Sequence, residues 1–397
     1  MTKKQLLTVL LPLLCGLQSW GQMGRLYDVD NQLPSSFVNE VFVDHDGLLW
    51  GATRNGLFRY DGYQFRIFSK ENGSGLRSNY VNCLAQNRQG QMYFGMFDAV
   101  QTFDGGGFAD VHLYDLDGRE VPCYVECFLE RSNGEMLVGT SGHGILRQTT
   151  SSASGNKAQG SNGKAQLASE AHQVGGVLAQ LGTVHDMAED AKGRVWIVTD
   201  RMGVLVWQPA AQKGTNTAAK GKGSEGKIVA RYLQDDPLRS SVRRICMDRQ
   251  GRIYIGTLRQ GVIRLDGNKV TPIDGTFNNR FVSAIYCNKK GDIVIGYDGG
   301  GLAIYYPKTG AVVKNPYYSN MVDLAQAKVM SITEDNSGNL WLGMLQKGIY
   351  MQPASQGGFS YMGFRLGKDN IIGQACVTST LIDSRGYVWV GTDKDGL

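Results

Sequence analysis

The chain has little proline, with 9 in 397 residues, and only 5 histidines. Beyond its first residues it has no apolar run long enough to cross a bilayer as a helix, so no internal anchor is expected. The histidines are His45, His112, His143, His172 and His185. No two of them stand at a ligand spacing such as H-x-x-x-H, and no metal or other cofactor is expected. Helical signals are weak throughout. Glycine is abundant instead, at 53 residues, and valine and tyrosine are frequent. That composition suits many short strands joined by tight turns.

The N-terminus reads as a secretory leader over residues 1–21. Lys3 and Lys4 precede an apolar stretch, QLLTVLLPLL, that is too short to span a membrane. Ser19 and Gly21 are small residues that place cleavage before Gln22. Cys15 invites a lipoprotein reading, but Leu14 is larger than the small residue expected before a lipidated cysteine. The mature protein is therefore expected in the periplasm or outside the cell. The formal charge of +5 is misleading about partners. Two lysines lie in the leader. Lys157, Lys164, Lys213, Lys220, Lys222 and Lys227 lie in two low-complexity tracts against a single Glu225, which leaves a slightly acidic body. No basic folded face is left for nucleic acid. Cys83, Cys123, Cys127, Cys246, Cys287 and Cys376 follow the leader. Export permits disulfides. Several of these cysteines fall inside expected strands, and we read them as buried free thiols.

An internal repeat dominates the sequence. Eight copies start at Val38, Val81, Val125, Val184, Val242, Val282, Val329 and Val377. Nine residues after each Val stands a Gly: Gly47, Gly90, Gly134, Gly193, Gly251, Gly291, Gly338 and Gly386. Three further on come Trp50, Tyr93, Leu137, Trp196, Tyr254, Val294, Trp341 and Trp389. Asp or Asn stands six residues after the Val in every copy except the third, which has Arg131. Asp and Asn start turns by bonding their own backbone, and Gly then takes a left-handed conformation, so each copy predicts a hairpin. The large side chain on the second strand should pack between neighbouring sheets. A later Gly, such as Gly261 or Gly348, turns the chain into a third strand. Candidates for a fourth strand are residues 63–68, 227–233 and 359–364.

The Val starts lie 43, 44, 59, 58, 40, 47 and 48 residues apart. The short spacings fit a four-stranded propeller blade. The two long ones coincide with low-complexity tracts at 149–166 and 210–227, expected to be disordered inserts. A β-helix would have shorter coils. The leucine-rich signature and the Gly-His and Trp-Asp marks of WD40 repeats are absent. The fold class is thus all-β, a propeller of four-stranded blades.

The pattern V-x-x-I-x-x-D-x-x-G-x-L-W-I-G-T-x-x-x-G-L resembles the two-component regulator propeller repeat. The phrase LPSSFVNEVFVDHDGLLWGATRNGLFRYDGYQF is similar to the first blade of that family. The resemblance runs from about residue 32 to 397. It implies the periplasmic sensor region of a hybrid two-component system, with carbohydrate as ligand class and a histidine kinase downstream. Family members carry two seven-bladed propellers, and only one is expected here. Residues 22–364 form one propeller of seven blades, with its last outer strand taken from 25–29 or 359–364. Residues 365–397 begin a second, incomplete one. An eight-bladed ring is the alternative.

No catalytic constellation stands out, and neither a phosphoacceptor-histidine helix nor ATP-binding glycine boxes are recognisable. DHDG at residues 44–47 looks like the start of a calcium loop but lacks the later acidic ligands. The glycine runs after Asp104 and Asp298 lack the strand–loop–helix setting of a phosphate loop. A binding face follows from topology instead. The turns between second and third strands emerge beside the links between blades. They carry Arg54, Asn55, Asp98, His143, Arg201, Arg259, Gln260, Asp298, Gln346 and Lys347. Such a polar ring can read a hydroxyl-rich or anionic ligand. The expected partners are an oligosaccharide and a downstream kinase region, with a homodimer left open. An exported polysaccharide-acting enzyme and a protein-interaction scaffold are the competing readings.

Overall fold

In this computed structural model the described residues are 24–394, except 150–156, 160–164, 168, 211–225, 235, 268, 277–279, 355–362 and 367–371. The leader lies outside them. The strands group into four-stranded antiparallel units, each opening at a repeat Val. The first unit runs Val38–Val43, Leu49–Thr53, Gly56–Tyr60, Phe65–Phe68 in spatial order. The inner strands of the others are Val81–Gln86, Tyr124–Glu130, Val184–Glu189, Val242–Met247, Val282–Cys287 and Val329–Glu334. The expected fourth strands appear at Phe65–Phe68 and Lys227–Tyr232. The unit at Val329 takes its outer strand from the N-terminus, where Arg25–Tyr27 pairs with Gly348–Gln352. Of the alternative, residues 359–362 lie outside those described.

Each expected turn is built as the residue types require. Asp44 Oδ1 accepts the Asp46 and Leu48 N–H groups at 3.0 and 2.8 Å. Gly47 follows with φ +82. The second carboxylate oxygen does something the repeat alone did not reveal. Asp44 Oδ2 accepts the Trp50 indole N–H at 2.7 Å. Asp190 with Trp196 (3.0 Å), Asp335 with Trp341 (2.9 Å) and Asp383 with Trp389 (3.1 Å) repeat the bond. In the fifth unit Asp248 takes the Tyr254 hydroxyl at 3.2 Å. The indole is thereby fixed for packing between sheets: Trp50 lies 5.6 Å from Phe68 of its own unit and 5.7 Å from Phe94 and Phe103 of the next. In the DHDG turn both Asp44 oxygens are therefore already occupied.

The repeated Val and the Gly after the aromatic position form one joint. A Cβ on Gly95 would meet Val125 Cγ1 at 2.7 Å, and one on Gly256 would meet Val282 Cγ1 at 2.6 Å. Gly139 faces Val184 and Gly296 faces Val329 in the same way. Val125, Val184, Val282 and Val329 thus each seat in a notch on the unit before, whereas Gly51 faces Phe58 and Val198 stands in place of the Gly before Val242. The joint also closes the ring: Gly343 faces Val38 at 3.1 Å, and the Val41 N–H bonds Ser331 Oγ at 3.1 Å. Tyr27 stacks with Trp341 at 6.0 Å and packs against Tyr60 at 5.4 Å, fastening the last unit to the first.

Two details depart from expectation. Ser169–Gln173, beyond the first insert, pairs antiparallel with Ile145–Thr149 and parallel with Phe108–Tyr114, joining two units into one eight-stranded sheet. The insert expected to be disordered at 149–166 is partly ordered. Thr149 ends a strand, and Lys157–Gln159 pairs with Ala165–Leu167. Such a short ribbon satisfies backbone groups locally and needs no apolar core. In the tract at 210–227, Lys227 starts a strand, and 211–225 lie outside the described residues.

The third unit, with Arg131 and Leu137 in place of Asp and Trp, uses an ion network instead. Arg131 Nη1 meets Glu135 at 2.5 Å and Arg131 Nε meets Glu189 of the next unit at 3.3 Å. Arg147 forms an ion pair with the other Glu135 oxygen and lies 5.6 Å over Trp207. The eighth repeat is a separate hairpin, Val377–Ile382 with Val388–Thr392, whose Leu381, Ile382 and Trp389 are exposed. No helix among the described residues is long and apolar enough to cross a membrane.

Candidate functional site

The link face carries the turns between second and third strands, and all ten residues expected there lie on it. Eight are exposed; His143 and Asp298 are half-buried. The Arg54 guanidinium lies over Phe37 (5.1 Å) and Tyr80 (5.9 Å). Asn55 Nδ2 donates to the Pro34 carbonyl at 3.1 Å. The His143 carbonyl accepts from Gln173 at 2.8 Å, and Asp298 pairs with Lys328 at 3.3 Å. Gln260 N–H bonds Thr257 Oγ1 at 2.9 Å, and Gln346 has a left-handed backbone, φ +69. Asp98, Arg201, Arg259 and Lys347 complete the set. Three turns carry two of these residues each: Arg54 with Asn55, Arg259 with Gln260, and Gln346 with Lys347.

The centre itself was missed. Each inner strand carries a bulge immediately after its Val, as at Val38/Glu40, Val184/Asp186 and Val242/Arg244. A bulge adds one residue and re-aims the side chains beside it. The two positions after the Val then line an axial cavity of about 220 Å³, with Asn39, Glu40, Asn82, Cys83, Glu126, Cys127, Asp186, Arg244, Ser283 and Ser331 on its wall. Several reach across to the next unit. Asn39 Nδ2 donates to Val81 O (2.7 Å) and Asn82 Nδ2 to Val125 O (2.8 Å). Glu40 Oε2 accepts from Leu84 N–H (2.6 Å) and Asp186 Oδ2 from Ile245 N–H (3.0 Å). Arg244 donates to the Ser283 and His185 carbonyls at 2.8 and 3.2 Å.

Burial sets the charge state of this wall. It raises Glu40 to about 7, against opposing contributions from the Leu84 N–H and Arg244. Burial also raises Glu126 and Asp186, and lowers His185 to about 4, where Arg243 and Arg244 add to the effect. The Cys83 and Cys127 thiols are pushed well up by burial, so they are not reactive thiolates. All six described cysteines are free. A signal did exist in the sequence. Beside an unvarying buried Val, two consecutive positions change from Asn-Glu to Glu-Cys, His-Asp, Arg-Arg and Met-Ser.

Aromatic side chains stand at the head of the inner strands in the first three units. Phe37, Tyr80 and Tyr124 directly precede the Val positions. Burial raises Tyr124, and the neighbouring Tyr80, Glu126 and Cys83 raise it further. Phe97, 65% exposed, sits edge-on to Tyr124 at 5.7 Å. Arg54 bridges Phe37 and Tyr80, so the aromatic residues of these units stand close together.

Comparison with known proteins agrees with this architecture. Residues 238–259 match the two component regulator propeller family. No curated protein matches the chain in sequence. Among solved structures it is similar to the extracellular domain named as hybrid two component system BT3049 from B. thetaiotaomicron, at 19% identity and TM-score 0.66, over 94% of this chain and 47% of that one. The extracellular domain of BT4673 from the same organism matches at 16% and 0.65, over 85% of this chain and 43% of that one. The chain thus spans about half the length of these structures. A streptogramin B lyase is similar at 14% and 0.58, over 83% of this chain and 97% of that one. At these identities the likeness establishes the propeller fold, and function has to come from the site.

Proposed function

We propose that this chain is the ligand-sensing propeller of an exported two-component signalling protein, a binding module and not a catalyst. Its ligand is a glycan fragment held at the axial mouth. The observation that carries the reading is the aromatic group of Phe37, Tyr80, Tyr124 and Phe97 with Arg54, set on the first three units just ahead of the residues that line a polar cavity. Sugar rings present an apolar C–H face to aromatic rings and hydroxyls to polar neighbours, and a rigid frame lowers the ordering cost of binding. The matched family and the two extracellular domains support the sensory assignment. Residues 365–397 begin a second propeller in this reading, and a kinase region or partner receives the signal.

The test is a titration of the purified protein with a panel of oligosaccharides, following melting temperature and product together. Stabilisation without turnover is the expected result. Release of new sugar ends would replace sensing with catalysis. Phe97→Ala should weaken the best ligand by about tenfold, roughly 1.4 kcal/mol, with an unchanged melting temperature of the free protein.

A further inference from the structure

We propose that the axial site selects ligands bearing a protonated amine, so that its sugar, if the glycan reading above holds, is an amino sugar with a free ammonium group. The inference rests on that reading for the sugar but not for the amine. Three carboxylates, Glu40, Glu126 and Asp186, line the cavity with one guanidinium, Arg244. Arg244 is tied to the wall by the Ser283 and His185 carbonyls. None of the three carboxylates makes an ion pair among the described residues. Glu40 is positioned by Leu84 N–H through Oε2, which leaves Oε1 turned to no described partner. Glu126 lies near Tyr124 of the aromatic group.

The combination has a direct chemical meaning. Three enclosed carboxylates sharing a single guanidinium, Arg244, leave an excess of negative charge, and the site relieves that cost by taking up a proton or a cation. Burial pushes Glu40 up to about 7, and the nearby Asp186 carboxylate adds to it. Aromatic faces attract an ammonium group as well as a sugar ring. An anionic ligand would add to the excess negative charge, and a neutral sugar would leave it uncompensated. The groups facing Glu40 are the Leu84 N–H, Arg244, Asp186 and Cys83. Because a cation needs the ionised carboxylate, affinity for a permanently charged amine should fall as pH drops through 7.

The experiment is calorimetric titration of the whole chain with the glucosamine disaccharide, its N-acetylated form, cellobiose and 1,4-diaminobutane. The diamine remains charged across pH 6–8.5, since alkylammonium groups titrate at about 10. At pH 7.5 the free-amine disaccharide should bind at least about tenfold tighter than the acetylated one. Diamine binding should weaken by about tenfold between pH 8 and pH 6 in the wild type and stay flat in Glu40→Gln. Glu126→Gln serves as a second variant, and melting curves verify that both fold. Equal binding of acetylated, neutral and amine sugars overturns this proposal while leaving the glycan reading standing. Diamine binding with no sugar binding sustains the proposal and sinks the glycan reading. Binding of neither overturns both.

Discussion

Asp and Asn are not interchangeable at the repeated turn, although both close it. Asp stands wherever a Trp follows six residues on, because its second oxygen must accept the indole N–H. Asn stands at Asn87 and Asn288, followed by Tyr93 and Val294, which bring no indole. Asp335→Asn would set an amide N–H against the Trp341 N–H and should cost about 1–3 kcal/mol. Asn288→Asp should be near neutral. Urea midpoints of the two variants test this. At Arg131 the consensus residue would be harmful. Arg131→Asp places a carboxylate against Glu135 and Glu189, and should cost about 3–5 kcal/mol by breaking a buried pair. At the axis, Glu40 is held above its ordinary 4.5, at about 7. The folded state therefore binds more protons than the unfolded state between about 4.5 and 7, and stability falls as pH rises through that window. His185, held at about 4 instead of 6.5, acts in the opposite sense from 4 to 6.5. Comparing melting temperature against pH in wild type and Glu40→Gln isolates the Glu40 contribution; the variant should gain most above pH 7.

Among the elements, hairpins were legible and their joints were not. The Asp–Gly turn is local chemistry within nine residues, so a single copy of the repeat predicts it. The Val-in-Gly notch links residues in different units, and neither residue type names its partner. Gly296→Ala tests the joint. Its new Cβ would stand 2.8 Å from Val329 Cγ1 and should cost about 1–3 kcal/mol through overpacking. Adding Val329→Ala should recover part of that loss, giving a non-additive cycle in urea denaturation. The site residues divide along the same line. Turn positions such as Arg54 and Lys347 were readable from topology. The axial carboxylates were not, because alternation would send neighbouring residues to opposite faces, and the bulge breaks that rule at Glu40 and Asp186.

At the scale of the whole molecule, the seventh unit depends on a strand from the other end of the chain. The Gly24 N–H bonds the Tyr350 hydroxyl at 3.1 Å, and Arg25–Tyr27 covers Gly348–Gln352. A variant starting at residue 29 should leave that sheet with an open edge, lose the Tyr27 contacts to Tyr60 and Trp341, and melt several degrees lower. Limited proteolysis should then cut first between residues 345 and 355. The consequence reaches back to biosynthesis. Arg25–Tyr27 is among the earliest parts of this chain to leave the ribosome, yet its pairing partner is made more than three hundred residues later. That strand cannot latch until its partner arrives, so the last sheet keeps an open outer edge until the end of the chain comes back to meet the start.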